Sequence, residues 1–520
     1  MANDRMIVDP GKNPAPMTST DPTLTLLPRL KAKALTEAQP ANVESFYHLR
    51  DGIASGVCCG TACFAARHAN PQRWQQALLQ ADSVHCLGQC YNAPAAVGEA
   101  ERPRIETHCR QPIVLERIAR GSVRTLANYL QTGGYQALAS ARQNPPEAVM
   151  EAVEFSGLRG RGGATFPTGK KWRLAARQPA GEKFIVANAD EGDPGAYIDR
   201  FLMEDDPHCL LEGMALAAYA VGASQGLIYV RAEYPQAQRI LADAVAEARG
   251  AGWFGGGGGE TFSFDIRIVS GHGSYVCGEE TALINSIEGN RPVVMARPPY
   301  AVESGLFGKP TVINNVETFA NIPWIIRHGG EAYRVLGFSQ SRGTKVVSLN
   351  SLFRRPGLYE VEFGVPVREL VETVGGGLKE GELLGVIMGG PLAGIIPPHL
   401  LDTRFGFEEL RAIHASVGHG GVIAFDKRTT IPDLVRYTFG FGADESCGKC
   451  VPCRLGSRRI EEIFEGVGQS GFGPVAAKQE WEEISATLHQ TSLCGHGVGL
   501  GDFAESVRAH YGKEIGLCFE

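Results

Sequence analysis

The stretch QGLIYVRAEYPQAQRILADAVAEARGAG, residues 225–252, reads as a short apolar strand followed, from its proline onward, by a helical pattern. An equivalent apolar run, KFIVANAD, lies upstream at 183–190. Such runs alternate with helical patterns across roughly 156–335, which predicts a mostly parallel sheet with helices around it, an α/β fold. A helical stretch near 120–155 leads into this Gly-rich portion. Beyond it, KVVSLNSLFRRPGLYEVEFGVPVRELVETVGGG (345–377) reads strand, turn, strand, helix, the texture of a small ubiquitin-like α+β module. The tail from about 430 to 520 is predominantly helical, most clearly in PDLVRYTFGFGADE (432–445) and EEISATLHQTS (482–492).

Towards the N-terminus, residues 46–115 form a small cysteine-bearing region. It has a helix over PQRWQQALLQAD (71–82) and a strand end with a turn in VHCLGQCYNAPAAV (84–97). Residues 1–45 are Pro/Thr-rich and read as a disordered leader, a partner-binding tail being the alternative. The run GWFGGGGGE (252–260) lacks the Gly-Lys-Ser/Thr of a P-loop and is predicted to be a flexible surface turn.

Bulk properties narrow the function classes. A chain of 520 residues suggests about two to four domains. The net charge of −7 offers no basic face for nucleic acid. No run of 18 or more apolar residues stands ready to span a bilayer. The N-terminus lacks the order of a secretory signal, so a cytoplasmic location without membrane insertion is expected. In that setting the 13 cysteines argue against a disulfide framework, and their grouping into two clusters points to metal ligation.

The sharper cluster is ESCGKCVPCRLG (445–456) with SLCGHG (492–497). Cys447, Cys450 and Cys453 form C-x2-C-x2-C, and Cys494 is a distant fourth. Three closely spaced thiolates can wrap one corner of a cubane while a remote one closes the fourth iron, which favours 4Fe-4S. Zinc is the rival, although structural zinc usually takes two C-x2-C pairs. Gly448 permits the tight loop, and Lys449 and Arg454 offset thiolate charge.

Three stretches stand out in the Gly-rich portion. SGLRGRGGATFPTGKKW (156–172) packs Gly157, Gly160, Gly162 and Gly163 into seven positions, so that backbone amides can approach a phosphate or flat ring. A plain tight turn is the alternative. NADEGDPGAYIDRFLMEDDPH (188–208) sets Asn188, Asp190, Glu191 and Asp193 just past a strand, where α/β ligands gather, although a solvated acidic loop would look similar. The third is GHGSYVCGEETALINSIEG (271–289) followed by RPPYAVESGLFGKPTVINNVETF (297–319).

Together, from about residue 120 to the C-terminus, these motifs resemble the NADH-binding flavoprotein subunit of respiratory complex I and its relatives in soluble NAD-linked hydrogenases and formate dehydrogenases. The resemblance implies a Rossmann-like FMN and NADH domain (119–338), a ubiquitin-like SLBB insert (339–425) and a C-terminal helical bundle holding the cluster (426–520). It implies FMN against Gly160, Arg161, Gly162 and Gly163, with Lys171 at its phosphate or ribityl region. Further cofactor contacts fall to Asn188, Asp190, Tyr275, Gly278, Glu279, Asn314 and Asn315, with Phe166, Glu191 and Glu280 near the dinucleotide. Arg297 stands where a lysine is usual, and Tyr300 where a phenylalanine stacks on adenine, preserving a cation and an aromatic face. Leu174 replaces another common aromatic. NADH would reduce the flavin and the flavin would release electrons singly to the cluster, with Glu191 and Glu280 placing the nicotinamide and tuning the flavin.

The second cysteine group, Cys58-x4-Cys63 with Cys86-x3-Cys90, resembles the thioredoxin-like 2Fe-2S domain, here over 46–118. Cys59 is an extra thiol, and an empty scaffold or zinc remain alternatives. Cys109, Cys209, Cys277 and Cys518 read as structural. Fusion of this region to the flavoprotein, with VGHGGVIAFD (417–426), resembles the beta subunit of cytosolic NAD-dependent formate dehydrogenase. The diaphorase subunit of an NAD-linked hydrogenase and the complex I flavoprotein are alternatives; a non-catalytic assembly scaffold and a zinc-binding module are alternatives of other classes. Formate or hydrogen chemistry would sit on a molybdenum or nickel partner, reached through further iron–sulfur subunits.

Overall fold

The computed structural model describes residues 56–79, 86–96, 102–179, 181–255, 262–271 and 274–519. The expected leader, residues 80–82 of the expected helix and residues 256–260 of the glycine run lie outside these. Among the described residues no helix is long and apolar enough to cross a membrane.

The first elements are two short helices, α1 (Thr61–Ala65) and α2 (Pro71–Leu79). A segment from Cys86 then returns to bridge Ala96 against Val57. After it comes β1 (Arg104–His108), then α3 (Pro146–Ser156) and α4 (Thr168–Ala176), which lead into the α/β portion. There β2 (Phe184–Ala189), β3 (Gln225–Arg231), β4 (Asp265–Gly271) and β5 (Thr311–Asn315) form a sheet of order β4-β3-β2-β5. Every neighbouring pair in it is parallel.

Parallel neighbours need long crossovers. These are helical: α5 (Ile198–Asp205) and α6 (Pro207–Val221) between β2 and β3, α7 (Pro235–Gly250) before β4, and α8 (Glu280–Ile287) before β5. A further helix, α9 (Val316–His328), follows β5 directly. Helices cover both faces of the sheet, because alternate residues of β2 enter different cores. Ile185 and Ala187 join the main core, while Phe184 and Val186 join a second one with Leu283 and Ile287 of α8. Burial on both faces is why β2 and β3 read as continuous apolar runs. On α7, Ala237, Leu241, Ala244, Val245 and Ala248 recur every three or four residues and are buried.

The ubiquitin-like expectation meets a larger sheet. β6 (Thr344–Leu349), β7 (Gly357–Glu362), β8 (Leu383–Met388), β9 (Ile395–Ile396) and β10 (Gly421–Asp426) join β1 in the order β1-β7-β6-β10-β8-β9. β1 pairs parallel with β7, Arg104 opposite Gly357, so a strand from before residue 118 completes the sheet of the 339–425 module. The chain after β1 is anchored there too. The buried carboxylate of Glu360 accepts from the amides of Ile113 (2.8 Å), Val114 (3.1 Å) and Leu115 (2.8 Å), and from the Thr344 hydroxyl (2.6 Å).

The tail folds as α10 (Ile431–Asp444), α11 (Ser457–Ser470), α12 (Val475–Thr491) and α13 (Gly495–Gly516). Buried Trp481 of α12 meets Phe439 and Phe464 edge-on at 5.7 and 5.2 Å, closing the bundle's core.

Candidate functional site

A cavity of ≈ 780 Å³ opens at the carboxyl ends of β2 and β5. This is where ligands bind in open α/β sheets, and the size suits a cofactor. One wall is the glycine loop before α4. The loop closes on itself by Gly160 N–H donating to Phe166 O (3.0 Å) and by a bridge between Arg159 and Pro167. Gly163 has φ +106, and a Cβ on Gly162 would fall 2.8 Å from that of Asn315. Both positions therefore need glycine, and both line the cavity with Gly160 and Phe166.

Behind the loop, hydrogen bonds fix the polar side chains. Lys171 in α4 donates to Ile313 O (3.1 Å) and lies 3.4 Å from Glu280. The Trp172 indole donates to Asn314 (2.9 Å), Asn188 donates to Gly278 O (2.8 Å), and Asn315 caps α9 through Glu317 N–H (2.9 Å). Glu279 caps α8 and is ion-paired with Arg297, which also lies 3.4 Å from Glu280. Phe166 and Tyr300 leave exposed aromatic faces on the same cavity.

Asp190 and Asp193 also line it, and the carboxylate oxygens of both are buried and without a partner among the described residues. Burial pushes Asp190 well above the carboxylate range and Asp193 up to about 7. Orphaned buried carboxyls on a cavity wall await hydrogen-bonding partners from a ligand. The N–H and hydroxyl groups of FMN, set beside a cation, amide side chains and a Cβ-free loop, fit this donor and acceptor set.

Two expected residues are not on the cavity wall. The Arg161 guanidinium turns away to Tyr333 Oη (2.7 Å) and Arg342 O (2.6 Å). The Glu191 carboxylate caps α5, accepting from the amides of Ile198 (2.5 Å), Asp199 (3.0 Å) and Arg200 (3.0 Å). The remaining expected flavin and dinucleotide residues all line the cavity. Among the wall residues with no assigned role are Asp193, His419 and the loop glycine Gly389. A histidine between glycines in VGHGG was the only sequence signal for His419.

Cys494 stands on the same wall, with His496 behind it. Cys447 and Cys450 lie close enough to Cys453 to repel its thiolate, and Cys447 does the same to Cys494. The four cysteines are thus gathered at one place. Leu493 N–H points at the Cys450 sulfur (3.4 Å), and the Ser446 hydroxyl lies 3.2 Å from Cys453 Sγ. Burial pushes the Cys494 thiol up to about 11, against the opposing pull of the His496 and Gly497 amides at the start of α13. Cys447 and Cys494 pack on the apolar cluster of Val276, Ala282 and Val294, next to the cavity's Tyr275–Glu280 segment. Tyr275 itself reaches the bundle, 5.5 Å from the His496 ring, and its amide donates to Glu445 (3.0 Å).

The N-terminal cysteines Cys58, Cys63, Cys86 and Cys90 are all buried. Hydrogen bonds with Cys63 and Cys86 raise the Cys58 thiol, while those with Cys58 and Cys90 lower Cys86, so the four share one nest. The amides of Gly60, Gly88 and Ala95 point at Cys58, Cys86 and Cys63, each at 3.4 Å. The nest is tied to the rest of the chain by Arg67 with Asp433 (2.6 Å) and by Phe64 stacked on Tyr437 at 4.0 Å. Ser351 N–H also donates to Cys90 O (2.9 Å).

A Rossmann-like sheet with a glycine-walled cavity beside a four-cysteine nest defines a flavin- and iron–sulfur-binding oxidoreductase subunit. The family described as the Nuo51 FMN-binding domain matches residues 153–324, and the NADH-ubiquinone oxidoreductase-F iron-sulfur binding region matches 433–517. The NADP-reducing hydrogenase subunit HndC of Solidesulfovibrio fructosivorans is 42% identical over 375 residues, covering 72% of this chain and 76% of its own. An NADH-quinone oxidoreductase subunit of Aquifex aeolicus (strain VF5) is 38% identical over 407 residues, covering 77% and 92%. A chain of an NAD⁺-reducing [NiFe]-hydrogenase in the H2-reduced state superposes with TM-score 0.76 at 28% identity, over 94% of this chain and 89% of that one. The chain belongs to the family of FMN- and 4Fe-4S-binding flavoprotein subunits that includes this NADH-quinone oxidoreductase relative.

Proposed function

We propose that this chain is the NAD(H)-reacting subunit of a cytoplasmic multi-subunit complex, passing electrons between NAD(H), FMN and iron–sulfur clusters. The observation that carries this reading is Cys494 on the wall of the glycine-lined cavity. A cluster ligand and the flavin loop share one chamber. When bound, FMN accepts an electron pair from the dinucleotide and yields it one electron at a time to the cluster, chemistry that belongs to the cofactors.

The side chains bind and orient. Gly160, Gly162 and Gly163 would leave amides bare to the flavin, Lys171 would offer its cation, and Asn188, Asn314 and Asn315 would fix the ring. Glu280, steadied by Lys171 and Arg297, would position the nicotinamide, with Phe166 and Tyr300 as stacking faces. Glu191 acts here through α5 and His419 rather than by contact.

Cys58, Cys63, Cys86 and Cys90 would hold a 2Fe-2S cluster, a reading supported by the three amides aimed at their sulfurs. For the distal substrate the fused cysteine region and VGHGG favour formate, with a molybdenum partner. A second reading, hydrogen with a nickel partner, is favoured by the likeness to the [NiFe]-hydrogenase chain, which spans 94% of this one.

Iron, acid-labile sulfide and flavin assays on anaerobically purified protein test the proposal, together with ferricyanide reduction by NADH. One FMN and about six irons per chain with activity are expected. About four irons with activity would remove the N-terminal cluster alone, and colourless, inactive protein would leave a scaffold. Molybdenum or nickel in the co-purified complex decides between formate and hydrogen.

A further inference from the structure

His419 lies in the turn just before β10 of the ubiquitin-like sheet, yet lines the flavin cavity. It gets there because two glycine turns meet. Gly389 N–H donates to Gly421 O (2.8 Å), and a Cβ on Gly418 would lie 1.9 Å from Gly389 O. Its side chain is only 12% exposed. Nε2 lies 3.2 Å from Glu191 Oε1 and 3.3 Å from Asp199 Oδ2. Nδ1 has no partner among the described residues.

The three side chains put one potential ligand atom each within 4.8 Å of the others, a spacing compatible with a metal. The donor set argues otherwise. Glu191 Oε1 is taken by the Ile198 and Asp199 amides, and Oε2 by the Arg200 amide and the Tyr234 hydroxyl at 3.2 Å. With both oxygens already accepting, Glu191 offers an ion little beyond its charge, which an imidazolium at Oε1 balances.

We propose that His419 is a flavin-tuning residue: an imidazolium clamped through Nε2 by Glu191 and Asp199, whose Nδ1–H donates into the cavity and favours the reduced, negatively charged flavin ring. The inference rests on the FMN reading above. Burial alone would lower the histidine, but the Asp199 and Glu191 carboxylates outweigh it and hold it well above its usual range. The other charged groups around it are consistent. Asp193 lies on the same wall, and Lys345 donates to the His419 carbonyl (2.8 Å) while paired with buried Glu317. A fixed positive charge in a site of low dielectric acts most strongly on charge that develops beside it.

The test is the midpoint potential of the bound flavin in the holoprotein, read optically with the 4Fe-4S EPR signal as an internal control. His419→Gln is expected to lower the flavin potential, so that the equilibrium constant for its reduction falls at least tenfold, about 30 mV for a two-electron couple. The cluster potential should hold. Asp199→Asn loosens the clamp, so His419 should titrate closer to its ordinary range and the flavin potential should gain an extra pH-dependent slope there. An unchanged potential in flavin-loaded His419→Gln overturns the role. If that variant loses its flavin, an unchanged pH profile in Asp199→Asn overturns it. Wild-type protein without flavin would instead overturn the FMN reading.

Discussion

At the scale of single residues, the acids of NADEGD divide between the cavity and the fold. Asp190 and Asp193 reach the cavity, whereas Glu191 turns to cap α5 and hold His419. The resemblance pointed to Glu191 as a dinucleotide neighbour; the sequence contains no local sign of which way it turns. The glycine loop and the cysteine spacings were legible because local geometry alone demands those residue types. His419 was not, since only a contact between two distant loops brings it to the flavin wall. Gly162→Ala should weaken FMN binding about 10- to 100-fold, the effect of about 1–3 kcal/mol of overpacking, because the new Cβ meets Asn315. Fluorescence titration of apoprotein with FMN would measure it. Cys494→Ser should lose the 4Fe-4S EPR signal and about four irons per chain, read by iron analysis.

The same scale carries a pH prediction. In flavin-free protein Asp193 is held up to about 7 by burial, with His419 pulling the other way. Between about pH 4 and 7 the folded chain keeps a proton that the unfolded chain releases, so stability falls as pH rises through that window and is flat above it. The Asp193→Asn variant has no such penalty. Its melting temperature should gain on the wild type from pH 5 to pH 8, by the equivalent of about 2.5 kcal/mol at most. An advantage that stays level across that range would contradict the assignment.

At the scale of elements, the parallel sheet was readable because strands buried on both faces leave continuous apolar runs, and α7 its three-to-four spacing. What the sequence concealed was the pairing of β1 with β7, since RIETH is a half-exposed edge strand without an apolar signature. Glu360 is the reason the chain after β1 stays in place: it satisfies the Ile113, Val114 and Leu115 amides in the interior. Glu360→Ala leaves those donors unmatched and should cost about 3–5 kcal/mol. Hydrogen exchange at residues 104–115 should rise ahead of exchange in the β2–β5 sheet. Equal protection in variant and wild type would show that the carboxylate is not the anchor.

Across the whole molecule, the modules interlock instead of standing in line. The flavin chamber takes walls from the Rossmann-like sheet, from loops of the second sheet and from the start of α13. The N-terminal cysteine nest leans on the C-terminal bundle through Arg67 and Asp433, and through Phe64 and Tyr437. Removing that ion pair with Asp433→Ala should leave FMN and 4Fe-4S content intact while exposing the nest, so that trypsin cleaves the N-terminal region several-fold faster. Composition and motifs announced the modules, but not this interlocking, because contacts between distant parts leave no periodic trace in either partner.

The β1–β7 pairing also sets an order of events during synthesis. Arg104 must wait for Gly357, roughly 250 residues later in the chain. At about 5–20 residues per second that is a delay of about 12–50 s on the ribosome. Until then the N-terminal cysteine nest also lacks the partners that the later chain supplies, Ser351 against Cys90 and Asp433 against Arg67. On the proposed reading of these cysteines as cluster ligands, the set stays open and exchangeable until then, and its metallation would finish at the end of translation.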